Sequence, residues 1–132
     1  MEHVLDMHRV RVEGDILHIQ IVGDFDREHM GRLLEIIKGV IARHGRYGTL
    51  IDTRRMGRLP PDARNLVSDF KGAETCYGNA IFGESFTTRV AMTIALRAIQ
   101  FVSSQKFTAA FFKEEPEACA WLKGRGEAIA AR

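Results

Sequence analysis

Asp24-Phe25-Asp26-Arg27-Glu28-His29-Met30-Gly31-Arg32-Leu33-Leu34-Glu35-Ile36-Ile37-Lys38-Gly39-Val40-Ile41-Ala42-Arg43-His44-Gly45, followed after a short loop by Thr49-Leu50-Ile51-Asp52-Thr53, decides the fold. In the first string Met30, Leu33, Leu34, Ile37, Val40 and Ile41 recur at spacings of three and four, which lines one face of a helix. Asp24 or Asp26 caps its start, and Gly45 closes it as a C′ residue. The second string is brief and mostly apolar, as a strand buried on both faces must be. A helix delivered straight into a buried strand implies a crossover between parallel strands.

Working outward, residues from Leu5 to Val22 read as two strands joined by the turn Glu13-Gly14-Asp15, with Leu17, Ile19 and Ile21 alternating against His18 and Gln20. Downstream, Pro60-Pro61-Asp62 opens a helix to Phe70 with Leu66, Val67 and Phe70 on its apolar side. Residues 71–86, punctuated by Gly72, Gly78 and Gly83, show no period; a connection this long is functional or conceals an element. Thr87 to Leu96 reads as a strand, Ala98 to Lys106 as a helix and Phe107 to Phe112 as a strand. A last helix begins near Pro116 and ends before Gly124, leaving residues 124–132 as a frayed tail. The expected fold class is α/β: one mixed β-sheet, with an N-terminal hairpin and later strands parallel, carrying about four helices. All 132 residues belong to a single domain with its core over about residues 5–123.

Composition narrows the function. Nineteen Lys and Arg against seventeen Asp and Glu leave a net charge of +2, too small to imply a nucleic-acid or membrane partner. No apolar run approaches the roughly 20 residues of a membrane-spanning helix. The first residues show neither a basic nor an apolar leader region, so the expected compartment is the cytoplasm, where Cys76 and Cys119 are free thiols. His3, His8, His18, His29 and His44 lack metal-ligand spacing, and no glycine-rich phosphate loop is present, so neither a metal nor a cofactor is expected. Gly83-Glu84-Ser85-Phe86-Thr87 is a poor nucleophile elbow: its closing glycine is missing and a strand, not a helix, follows.

The order of elements, together with Val22-Gly23-Asp24-Phe25, Thr49-Leu50-Ile51-Asp52-Thr53, Arg89-Val90-Ala91-Met92 and Phe111-Phe112 followed by Glu117-Ala118-Cys119-Ala120-Trp121-Leu122, resembles the STAS domain. More narrowly it is similar to the bacterial anti-sigma-factor-antagonist-like proteins of the STAS-like, CRAL-TRIO-like branch, from about Leu5 to Leu122. The resemblance implies a module that binds a regulatory protein in bacterial signalling and catalyses nothing. In that family a phosphorylatable serine, usually within Asp-Ser-Ser-Gly, opens the helix after the central strand. The matching segment here, Met56 to Arg64, contains no serine or threonine.

Two candidate sites emerge. Arg54, Arg55 and Arg58 in the loop after the central strand, with Arg64 on the following helix, could hold a phosphate, a carboxylate or an acidic protein surface. They could equally be a solvated loop tethered by Asp62 and Asp69. Tyr77, Ile81, Phe82 and Phe86 could form an exposed contact patch for a partner, a ligand or a second copy of the chain, or could simply cover the end of the sheet. The primary expectation is a non-enzymatic module working through protein contacts. The alternative is a carrier or sensor of a small anionic or lipid-like ligand, its head held by Arg54, Arg55 and Arg58 and its tail by Ile81, Phe82 and Phe86. A hydrolase built on Ser85 would need a histidine within hydrogen-bond reach.

Overall fold

In the computed structural model of the chain, which describes residues 2–83 and 109–130, the alternating N-terminal segment forms three strands where the sequence predicts two. They are β1 (Glu2–Leu5), β2 (His8–Glu13) and β3 (Ile16–Gly23). Strand β1 escapes a sequence reading because the chain reverses at Asp6-Met7, with Asp6 itself at φ 59° and no glycine to mark the turn. On β3, Leu17, Ile19 and Ile21 are buried while Ile16, His18 and Gln20 are half-exposed, as alternation requires.

Helix α1 spans Arg27–His44, between an N-cap at Asp26 and a left-handed Gly45 whose N–H donates to the Ile41 carbonyl at 2.7 Å. Its predicted stripe is the one it buries: Met30, Leu33, Leu34, Ile37 and Val40. Strand β4 (Tyr47–Met56) is twice the predicted length. Pairing with β3 on one side and β5 on the other extends it into residues that carry no apolar pattern of their own. Helix α2 (Pro61–Asp69) lies where Pro61 predicts it. The unassigned stretch resolves into a 3-10 turn (Lys71–Thr75) and strand β5 (Cys76–Phe82). Strand β6 (Ala109–Phe112) and helix α3 (Glu115–Ala130) complete the described residues. The predicted strand Thr87 to Leu96 and helix Ala98 to Lys106 lie outside them.

The sheet order is β1-β2-β3-β4-β5-β6, antiparallel through β3 and parallel from β3 to β6. This is the mixed α/β sheet predicted, with three described helices against about four. Two cores lie on its opposite faces. The larger joins β3, Phe25, α1 and α2; the smaller joins Leu50, Ala80 and Phe82 to Ala118 and Leu122 of α3.

Helix α3 continues through Gly124 and Gly126, past its predicted end, because tertiary bonds hold it there. Tyr77 is the extra residue of a bulge, since Tyr47 pairs with Cys76 but Gly48 with Gly78. Its hydroxyl donates to Asp15 at 2.8 Å; Asp15 also accepts from Arg46 at 2.9 Å, and Arg46 donates onward to the Gly126 carbonyl at 2.8 Å. A Cβ on Gly126 would stand 3.1 Å from the Tyr77 ring, so the missing side chain is what lets the helix lie close.

Candidate functional site

The carboxyl ends of β3 and β4, where open α/β sheets place their ligands, carry two short loops bonded into one unit. The Gly57 N–H donates to the Gly23 carbonyl at 2.7 Å, and the Phe25 N–H to the Arg58 carbonyl at 2.9 Å. Oδ1 of Asp24 accepts the Arg58 N–H at 2.7 Å. A Cβ on Gly57 would collide with the Asp24 carboxylate and stand 2.9 Å from the Gly23 carbonyl carbon, so the junction demands glycine. Helix α2 begins directly beyond this unit. Pro60 gives it no side-chain cap, and Asp62 accepts the Ala63 N–H at 2.9 Å.

The predicted arginines separate into different roles. Arg54 and Arg55 belong to β4 and not to the loop after it. Arg54 is folded back on Asp52, donating from Nε at 3.0 Å and Nη2 at 2.7 Å, with its guanidinium 5.8 Å from the centre of the Phe82 ring. Burial opposes ionisation of Asp52, yet the hydrogen bonds from Arg54 outweigh it and hold the carboxyl below its ordinary range. Arg54 is thus committed within the chain. Arg55 and Arg58 are exposed, and neither guanidinium has a hydrogen-bond or ion-pair partner among the described residues. Arg64, half-exposed on α2, has an interaction of its own.

Beneath the loops lies a histidine pair that a reading of the sequence misses. His8 is 2% exposed; its Nδ1 accepts the Val22 N–H at 3.0 Å, so its proton sits on Nε2, which donates to the Asp24 carbonyl at 3.0 Å. His29, the third residue of α1, accepts the Asp26 N–H at Nδ1 and donates from Nε2 to Asp6 at 2.5 Å. The two rings meet edge to face at 4.5 Å, and Phe25 lies 4.9 Å from His8. His29 is therefore a buried cap and not the polar-face residue its position suggests. The bond from His8 crosses 16 residues to a main-chain carbonyl, which no local pattern reports.

The apolar candidates fall on two faces of the sheet. Tyr77 and Phe82 face α3, Ile81 faces the layer of α1 and α2, and all three are at most 4% exposed. They form no common surface patch. Phe86 and Ser85 lie outside the described residues. Between the sheet and the helices, Ile81 joins Ile19, Ile21, Phe25, Leu33 and Val67 around an apolar cavity of about 130 Å³. The Cys76 thiol is pushed up to about 11 by burial and is unsuited to nucleophilic work near neutral pH. No group of His, Cys, Asp and Glu among the described residues could hold a metal ion, and no described helix is long and apolar enough to cross a membrane.

A family model described as SpoIIAA-like matches residues 16–123. No curated protein matches the chain. Among solved structures, a protein of Shewanella loihica with a SpoIIAA-like fold superposes with a TM-score of 0.59 at 20% identity, over 91% of this chain and 98% of that one. The anti-sigma factor antagonist SpoIIAA in its unphosphorylated form gives 0.58 at 15% identity, over 89% and 98%. The Bacillus cell fate determinant SpoIIAA in its phosphorylated form gives 0.52 at 12% identity, over 83% and 95%. At these identities the structures speak for the fold.

Proposed function

The chain belongs to the SpoIIAA-like family, and from that premise we propose that it is a non-enzymatic regulatory module of bacterial signalling that docks an acidic protein surface on the carboxyl ends of β3 and β4. One observation carries this reading: Arg55 near the end of β4 and Arg58 in the loop after it are exposed and unpartnered among the described residues, and backbone bonds hold that loop to the one after β3. Guanidinium groups presented on a rigid support are suited to bidentate pairing with carboxylates. Asp62 occupies the first turn of α2, and no serine or threonine lies between Arg54 and Val67. A hydroxyl-based switch of the sort the neighbour's phosphorylated form suggests has no acceptor in this segment, so docking here depends on charge already present.

Capture from a cell extract on the immobilised chain, repeated with an Arg55→Ala/Arg58→Ala variant, tests the reading. Loss of even one charge-assisted bond, worth about 1.5–3 kcal/mol, lowers affinity roughly tenfold or more. A partner depleted about tenfold by the double substitution, at unchanged melting temperature, supports the site. Equal retention by both proteins sinks it.

A second reading, a small-ligand carrier, draws on the apolar cavity, and size constrains it. A cavity of about 130 Å³ is near the roughly 150 Å³ that admits a benzene-sized molecule and too small for a lipid tail. Native mass spectrometry decides: a retained small mass released on unfolding favours the carrier, and a clean apo mass favours docking.

A further inference from the structure

The docking unit hangs from one buried histidine. Asp24 contributes two contacts, its carbonyl accepting from His8 and its carboxylate from the Arg58 N–H, and its chain neighbour Gly23 accepts from Gly57. His8 can serve Val22 and Asp24 together only as the neutral Nε2–H tautomer, because an imidazolium donates from both nitrogens and would confront the Val22 N–H with a second donor. We propose that His8 is a proton-operated clasp: neutral, it holds residues 22–24 and through Asp24 the Arg58 turn, and protonated it releases them. The consequence for docking rests on the function proposed above; the movement itself does not.

The surroundings favour the neutral ring. From the β1–β2 turn Asp6 faces the pair, bonded to His29. From α1 come His29, with its ring 4.5 Å away, and Arg32, which donates to the Val4 carbonyl at 3.3 Å; from the cap comes Asp26, and from the following loop Phe25 and Asp24. Burial and His29 disfavour a proton on His8, while Asp24, Asp6 and Asp26 favour one, and the first pair prevails, placing His8 below the ordinary histidine range. A group depressed in the fold resists protons that the unfolded chain accepts, so the clasp is intact above about pH 6.5 and weakens as the pH falls below it. At the strand ends, loss of the Val22 bond loosens Asp24, and with it the support of Arg58.

The test is an NMR titration of the intact chain from about pH 7.5 to about pH 5. The His8 ring and the amides of Val22, Asp24 and Arg58 should move together with one midpoint below about 6.5. In His8→Gln, whose carboxamide can accept from Val22 and donate to Asp24 without gaining a proton, those amides should stay still. Amides that stay flat in the parent chain, or that follow the His29 ring, overturn the clasp. Should the variant fail to fold, hydrogen exchange at the Arg58 amide of the parent replaces it: protection, corrected for intrinsic rate, must fall as His8 titrates, and constant protection refutes the idea. No partner enters these readouts. Moving amides with partner capture indifferent to Arg55 and Arg58 would leave the clasp standing and remove the docking reading; the converse would remove the clasp alone.

Discussion

Arg54 and Arg58 are four positions apart and chemically identical, yet the fold gives them different work. Arg54 neutralises Asp52, whose side chain is 12% exposed, and its own charge is spent there; Arg58 presents its charge outward. Arg54→Ala should therefore leave partner capture within about twofold while removing the group that keeps Asp52 ionised. The sign of the acid response follows. Because Asp52 ionises more readily in the fold than its ordinary value of about 3.9, its contribution is complete above that pH and is lost as the pH falls through the depressed folded value. Urea midpoints should drop over that acidic window in the parent and drop less in Arg54→Ala; identical acid profiles would show that the pair adds nothing. Asp24→Ala is the sharper probe of the loops. It strips the acceptor from the Arg58 N–H and should cost about 1 kcal/mol, with faster exchange at Arg58, and an unchanged urea midpoint would count against the bonded unit. The arginines were legible as a basic cluster, because charge is a local property. Which of them was free was not legible, because that depends on Asp52 and on the geometry of β4.

Among the elements, legibility tracks how far the determining contacts lie along the chain. Helix α1 announces itself through its own spacing and both its caps. Strand β5 does not: Gly78 and Asn79 interrupt it, and its residues alternate between the two cores, so no single apolar face repeats. Gly124, a residue that usually ends helices, predicts too early an end for helix α3. What continues it is the bond from Arg46 to the Gly126 carbonyl, 80 residues apart in sequence. The two glycines consequently respond in opposite ways to alanine. A Cβ at Gly124 meets nothing within 4 Å, whereas one at Gly126 would press on Tyr77 at 3.1 Å. Gly124→Ala should raise stability by about 0.5–1 kcal/mol through helix propensity alone. Gly126→Ala should forfeit that gain, and thermal denaturation of the pair checks it. Equal stabilisation by both substitutions would mean that α3 stands farther from Tyr77 than the packing requires.

At the scale of the whole molecule, one sheet serves two cores of unequal size, and the question is whether they melt together. β4 gives Leu50 to the smaller core and Ile51 to the larger from adjacent residues, and β5 gives Ala80 and Ile81 in the same way. A strand cannot keep one face folded while the other dissolves, because both faces depend on the same backbone pairing. Helix α3 is additionally joined to the sheet by the chain of bonds through Tyr77, Asp15 and Arg46, which ties it to the turn before β3. The cores should therefore unfold in one transition. Leu122, 1% exposed, is the probe, since it belongs to the smaller core alone. Leu122→Ala should cost about 2–5 kcal/mol, a large share of the 5–15 kcal/mol typical of a domain. Its urea curve should shift to a lower midpoint at unchanged slope, because the slope reports the surface exposed in the single event. The amides of Asp24 and Arg58, in the loops at the carboxyl ends of β3 and β4 beside Phe25 of the larger core, should keep their positions in the folded variant. A shallower or biphasic curve would instead make α3 a separately melting layer, and stability at the docking loops would then have to be explained by the larger core alone.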